Sequence, residues 1–211
     1  INYKNRNISF VTDIINFILI LYYAYKYKPL FFISFNIKPV ILSGFISKIF
    51  NIPNVITITG LGTVFEDKTN LIIKKIAIYL YYKSIKKKDY IIFQNKNDLQ
   101  FFLKNKIINQ KHTYLIVGGS GVDKNYFNFK KINFNKKTNF TYIGRLLKSK
   151  GIDTFIEKNN KYFLNNKLVE FTIIGDYENK KDFNYNLFKK LKDNKMIKYY
   201  KHQNNIKKYI Y

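Results

Sequence analysis

Cysteine and tryptophan are absent from this 211-residue chain, methionine occurs once, proline three times, and only two of its 38 basic residues are arginine. Without cysteine there is no disulfide, no thiolate nucleophile and no cysteine-ligated metal, which suits a reducing compartment. The two histidines, His112 and His202, stand far apart with no cluster of carboxylates around either, so no metal site is expected. Acidic residues number 13, leaving a formal charge of +25. The longest apolar run, Ile14 to Tyr25, is broken by Asn16 and falls short of the roughly 20 residues that span a bilayer. It is expected as a buried helix.

What the chain does have is lysine, asparagine, isoleucine, phenylalanine and tyrosine, all encoded by codons made wholly or mainly of A and T, whereas alanine occurs twice. An AT-rich genome accounts for the lysine excess without a ligand. The alternative is a functional basic surface facing anionic lipid head groups; nucleic acid is not expected as a partner.

Short β-branched or aromatic runs alternate with longer lysine-studded apolar stretches, the pattern of parallel sheets covered by helices. Helices are expected at 12–27, 39–50, 70–87 and 97–104, with strands at 30–35, 54–59, 90–94 and 113–117. After a polar stretch come strands at 139–143, 168–174 and 197–201 and helices at 151–165 and 182–193. Both halves are α/β. The expected division is a first domain at 1–124, a linker at 125–138 and a second domain at 139–211.

Eight of the nine glycines fall in expected loops: Gly60 and Gly62, then Gly118, Gly119 and Gly121, then Gly144 and Gly151, then Gly175. Collected at the carboxyl ends of strands, they imply tight turns or backbone closely approached by a ligand. Among them Gly144-Arg145-Leu146-Leu147-Lys148-Ser149-Lys150-Gly151 places an arginine and a lysine between two glycines where a strand meets a helix. A guanidinium offers a planar fork for two phosphate oxygens, which lysine cannot. The segment has the makings of a diphosphate clamp.

Four segments in order resemble the nucleotide-sugar-dependent glycosyltransferases of family 4, which have the GT-B fold of two Rossmann-like parallel-sheet domains: VITITGLGTVF (55–65), GGSGVD (118–123), YIGRLLKSKGIDTFIE (142–157) and FTIIGD (171–176). The resemblance implies a fragment clipped at both ends, with both domains incomplete, the first acceptor-side and the second donor-side. It implies transfer of a sugar, with retention and without metal, from a nucleoside-diphosphate donor. Arg145, Lys150 and Gly144 would hold the donor diphosphate. Thr59, Gly60 and Gly62, with Gly119 and Gly121, would form cleft loops; many members carry a histidine near the position of Thr59. The loop Tyr200-Lys201-His202 would meet the nucleobase, although relatives commonly have glycine near Lys201.

The wording ITGLG is similar to a subgroup acting on polyprenyl-diphosphate-linked sugars in polysaccharide or glycan assembly. That implies a lipid-linked acceptor and a cytoplasmic location with peripheral contact at the inner face of a bacterial membrane. The stretch 71–88, basic and aromatic, would be the membrane-facing element or else simply buried. Glu170 and Glu178 have the spacing of the family's acidic pair but fall in a strand and its following loop; the catalytic acidic motif would lie beyond Tyr211. The rival readings are a nucleotide-sugar epimerase on the same scaffold and a non-enzymatic basic protein.

Overall fold

The computed structural model describes residues 10–65, 69–129, 137–165 and 168–210. Residues 130–136, the middle of the expected linker, lie outside the described residues. The chain divides into two compact units, the first ending at Val122 and the second beginning at Asp123.

The first unit runs α1 (Phe10–Tyr27), β1 (Phe32–Phe35), α2 (Ile37–Ile49), β2 (Asn54–Ile58), α3 (Leu71–Ser84), β3 (Tyr90–Phe93), α4 (Lys96–Lys104) and β4 (Thr113–Ile116). Its four strands are all parallel in the order β1-β2-β3-β4. Each crossover therefore steps to the next neighbour through a helix, and the helices meet one sheet face. Val40 of α2, Tyr81 of α3 and Phe102 of α4 join Ile56, Ile58, Ile91 and Phe93 in a single core. Burying each such side chain contributes about 1.5–3 kcal/mol. Asparagine, plentiful in this composition, starts the helices: Asn70 accepts from the Ile72 amide at 2.8 Å and Asn95 from the Asp98 amide at 2.8 Å. A cap of this kind is worth about 1 kcal/mol over alanine.

The second unit runs β5 (Thr138–Ile143), α5 (Ile152–Asn165), β6 (Val169–Ile174), α6 (Tyr185–Asp193), β7 (Lys198–Tyr200) and the short α7 (Lys207–Ile210). Its strands are parallel in the order β5-β6-β7. Ile152 and Ile156 of α5 and Phe188 and Leu191 of α6 pack on Phe171 and Ile173 of β6. Two parallel-sheet α/β units in one chain make the GT-B type of architecture expected from the sequence.

Three expectations need correction. Ile14 to Tyr25 is not a buried helix: Ala24 and Asn16 face inward, but Ile15, Ile18, Tyr22 and Tyr25 are exposed. The stretch 71–88 is not buried either, since Ile72, Ile76, Tyr79 and Tyr82 lie outward on α3. Both helices are apolar all round, so the inner stripe fills the core and an outer stripe of the same character is left over. The third concerns length: the helix expected to reach 87 ends at Ser84. Ile85 turns extended and buries itself, and Lys86 is drawn off to the α2 end, its Nζ donating to the carbonyls of Ser47 at 3.1 Å and Ile52 at 2.6 Å.

Gly44 is the one glycine within a helix, and α3 explains it. A methyl group there would lie 2.7 Å from both the Cβ and the carbonyl oxygen of Ser84. Backbone cannot retreat as a flexible side chain can, so α2 and α3 would be forced apart. Gly44→Ala is expected to destabilise the chain by about 1–3 kcal/mol, read as a lowered urea midpoint at unchanged slope. A midpoint equal to that of the parent would mean the two helices are not in close contact there.

Candidate functional site

The carboxyl edge of the second sheet is built from three loops tied by main-chain bonds. The Gly144 amide donates to the Ile174 carbonyl at 3.0 Å, the Leu146 amide to Asp176 at 3.0 Å, and the Gly175 amide to Tyr200 at 3.0 Å. The loop after β5 thus leans on the loop after β6, and that on the end of β7. Gly175, at φ +148°, is indispensable here: a Cβ on it would stand 1.9 Å from the Gly144 oxygen.

Side chains then fix the Arg145 segment. Leu146 is fully buried and anchors the turn in the core. The Tyr142 hydroxyl donates to the Arg145 carbonyl at 2.8 Å, and burial, with Asp153 adding to it, pushes the Tyr142 pKa above the ordinary phenol value. On the far side the Tyr199 hydroxyl donates to the Gly175 carbonyl at 3.0 Å; burial first, then the charge of Asp176, pushes its pKa up to about 12. Both phenols stay protonated and keep donating. Gly151 at φ +79° closes a single 3-10 turn over 148–150 and its carbonyl accepts from the Phe155 amide, starting α5.

This arrangement brings together, on one sheet edge, Gly144, Arg145, Lys150 and the loop Tyr200-Lys201-His202. Arg145 and Lys150 are exposed, and among the described residues neither side chain has a hydrogen bond or an ion pair. Two nearby carboxylates are engaged elsewhere: Asp153 accepts from the Asn184 amide at 2.7 Å and Glu157 from its side chain at 3.1 Å, fastening α6 to α5. Tyr200 packs against Tyr209 of α7 with ring centroids 4.8 Å apart, while Lys201 and His202 are exposed. Gly175 and Asp176 belong to the same edge and were outside the expected site residues, although the glycine and the FTIIGD segment were visible. Glu170 is remote from it in character, bound to Lys198 at 2.7 Å and 3.6 Å from Lys137.

In the first unit the other loop residues also sit at a carboxyl edge. Gly60 (φ +142°) and Gly62 (φ +73°) follow β2, and Gly119 (φ +103°) and Gly121 (φ +73°) follow β4. The Thr59 hydroxyl donates to the Asn36 side chain across the ends of β1 and β2, and Gln94 donates to Ser120 at 3.0 Å across β3 and β4. Asn36 escaped the sequence reading. It sits at φ 66°, ψ 165°, a region that only glycine enters freely. No cluster of three or more metal-binding side chains exists among the described residues.

No protein-family model and no curated protein matches the chain significantly. The fold itself has precedents. The crystal structure of Anabaena Alr3699/HepE with UDP and glucose superposes with a TM-score of 0.69 over 98% of this chain and 56% of that one, at 11% identity. The UDP-glucose complex of the same protein gives 0.68 over 92% and 53%, and the UDP complex 0.66 over 92% and 53%, both at 12% identity. This chain spans about half the length of those structures, and at such identity the likeness concerns the fold.

Replacing Gly175 tests how this edge is held. Gly175→Ala is expected to abolish hydrogen-exchange protection at the Leu146 amide while the amides of Phe171 and Ile173 in β6 stay protected. Protection at Leu146 equal to that of the parent would show that the Gly144 carbonyl is not wedged against residue 175.

Proposed function

We propose that the chain is part of a retaining, family 4-like glycosyltransferase that takes a sugar from a nucleoside diphosphate and passes it to a lipid-linked saccharide in surface polysaccharide or glycan assembly. The observation that carries this reading is the Arg145 guanidinium, exposed and without a partner among the described residues, on a turn whose backbone is fixed at three strand ends. A protein of the same fold, crystallised with UDP and with UDP-glucose, adds support for a nucleotide-sugar donor.

The chemistry follows from charge. As the glycosidic bond to the β-phosphate breaks, the diphosphate gains negative charge, and fixed cations aimed at it stabilise the transition state more than the ground state. Arg145 supplies two parallel N–H donors and Lys150 a point charge, so the leaving group is neutralised by side chains and no metal is assigned to the step. The turn costs no reorganisation at the moment of reaction, because Leu146, Tyr142 and Gly175 already hold it. The loop 200–202 is assigned to the nucleobase, and the glycine loops of the first unit, around Thr59, Gly60 and Gly62 and around Gly119 and Gly121, to the acceptor side. Work on a lipid-linked acceptor places the enzyme at the cytoplasmic surface of a membrane, held there peripherally. Among the described residues no helix is long and apolar enough to cross a bilayer.

Binding of UDP by titration calorimetry tests the donor assignment. Arg145→Lys, which keeps the charge and loses the fork, is expected to weaken UDP by roughly tenfold, in line with the 1.5–3 kcal/mol carried by a hydrogen bond to a charged group. Lys150→Gln should weaken it by a smaller factor. Equal affinity in the parent and in Arg145→Lys would remove the clamp.

A further inference from the structure

At the opposite edge of the first sheet, where its strands begin, an open pocket of about 340 Å³ has Lys48, Tyr82, Lys83, Lys87, Lys106 and His112 in its lining, beside three isoleucines and an asparagine. It sits where α2, α3 and α4 end. The Lys48 ammonium donates to the Lys83 carbonyl and so joins the ends of α2 and α3, the favourable place for a cation beside a helix carboxyl terminus. Lys83, Lys87 and Lys106 have no carboxylate partner among the described residues. Burial first, with Lys83 and Lys86 acting against Asp89, holds the Lys48 pKa below the ordinary lysine value. The wall of this pocket is short of negative charge.

The pocket opens onto apolar surface. Lys83 lies over the rings of Tyr79 and Tyr82, at 5.6 and 5.8 Å, and these tyrosines continue the outward stripe of α3 through Ile76 (53% exposed) and Ile72 (65% exposed). Their spacing of three and four residues puts them on one side of the helix. An exposed apolar stripe ending in tyrosines and then in unpaired ammonium groups has the order of chemistry met on passing from acyl chains to head groups.

We propose that this pocket takes the phosphate of an anionic phospholipid and that the outer stripe of α3 lies in the bilayer surface beside it. The occupant is chosen by charge complementarity: several cations without carboxylates beside a broad apolar face match an anionic lipid surface, whereas a second copy of this chain, at +25, would bring like charge against like. This deepens the membrane contact proposed above. It is tested without sugar donor or acceptor, so that its failure leaves the donor assignment standing, and the reverse.

The experiment is sedimentation of the full chain with vesicles of phosphatidylglycerol in phosphatidylcholine, against phosphatidylcholine alone. Lys83→Gln, Lys87→Gln and Lys106→Asn are combined, asparagine being chosen because residue 106 has φ 54° and asparagine tolerates that backbone. The matched control is Lys189→Gln, Lys190→Gln and Lys195→Asn, on and just after α6, where residue 195 has φ 55°. A lysine near an anionic surface contributes roughly fivefold to binding, so the pocket triple should lose on the order of a hundredfold and the control far less. Ile76→Ser with Tyr79→Ser should lose about tenfold with the lysines intact. All the altered side chains are exposed, and a matching circular dichroism spectrum establishes that the fold is retained.

Equal losses from the pocket triple and the control would reduce the attraction to net charge and overturn the site. Glycerol phosphate binding as tightly as vesicles, with the serine pair without effect, would make the pocket a soluble-anion site and overturn the bilayer proposal. Concentration-dependent dimerisation abolished by the serine pair, with no vesicle binding, would put a second copy on the stripe instead.

Discussion

The second sheet is organised around a contact that leaves no room for a side chain: the Gly144 carbonyl lies where a Cβ on residue 175 would begin, at 1.9 Å. Because the loop after β5 is pressed on the loop after β6, the Leu146 amide can reach Asp176 and the Leu146 side chain can enter the core. Arg145, one residue before, is thereby turned outward with its carbonyl held by Tyr142. Every interaction that shapes this turn uses backbone, a buried leucine or a phenol. The cations take no part in holding it and remain available to a ligand.

The first unit reaches a comparable result by a different route. Asn36 occupies a backbone region costing about 1–3 kcal/mol for a residue with a side chain, and its side chain accepts the Thr59 hydroxyl. Strain at the end of β1 is thus joined to the loop after β2, and Gln94 joins β3 to β4 through Ser120. In both units the strand ends are cross-linked by polar atoms before any ligand is considered, which is the preorganisation that a site at a sheet's carboxyl edge requires.

Much of this was legible in the sequence, for reasons that also explain what was not. Every expected helix and strand is present because runs such as Val55–Ile58 and Tyr90–Phe93 are too short and too β-branched or aromatic for helices. Gly144 to Gly151 could be placed at a strand end because glycine is scarce and lysine common. The exposed faces of α1 and α3 are not legible, since a helix apolar all round gives periodicity no face to choose. Asn36 was invisible: in a chain so rich in asparagine nothing distinguishes one at positive φ from one at an ordinary turn. Gly175 is legible as a loop glycine, but the need for it comes from Gly144, 31 residues earlier in the loop after a different strand, and no local pattern carries that.

The charge of +25 also looks different once the partners of six of the 13 acidic residues are considered. Asp13 holds Lys38 at 2.9 Å, Asp89 accepts the Lys86 amide at 2.8 Å, Asp123 accepts the Asn125 amide at 2.8 Å in its turn, Asp153 and Glu157 bind Asn184, and Glu170 binds Lys198. These carboxylates close turns, tether helices or neutralise a neighbour: Asp153 and Glu157, near the Arg145 turn, are held by Asn184, and the buried Asp89, close enough to act on Lys48, is engaged by the Lys86 amide, while Lys83, Lys87 and Lys106 have no carboxylate partner among the described residues. Compositional drift can account for how many lysines there are, but it does not account for where the opposing charges fall. What makes a basic group available for an anion is that no carboxylate competes for it, and near the two places where cations collect Asp89, Asp153 and Glu157 are engaged with donors of the fold rather than with Arg145, Lys150, Lys83, Lys87 or Lys106.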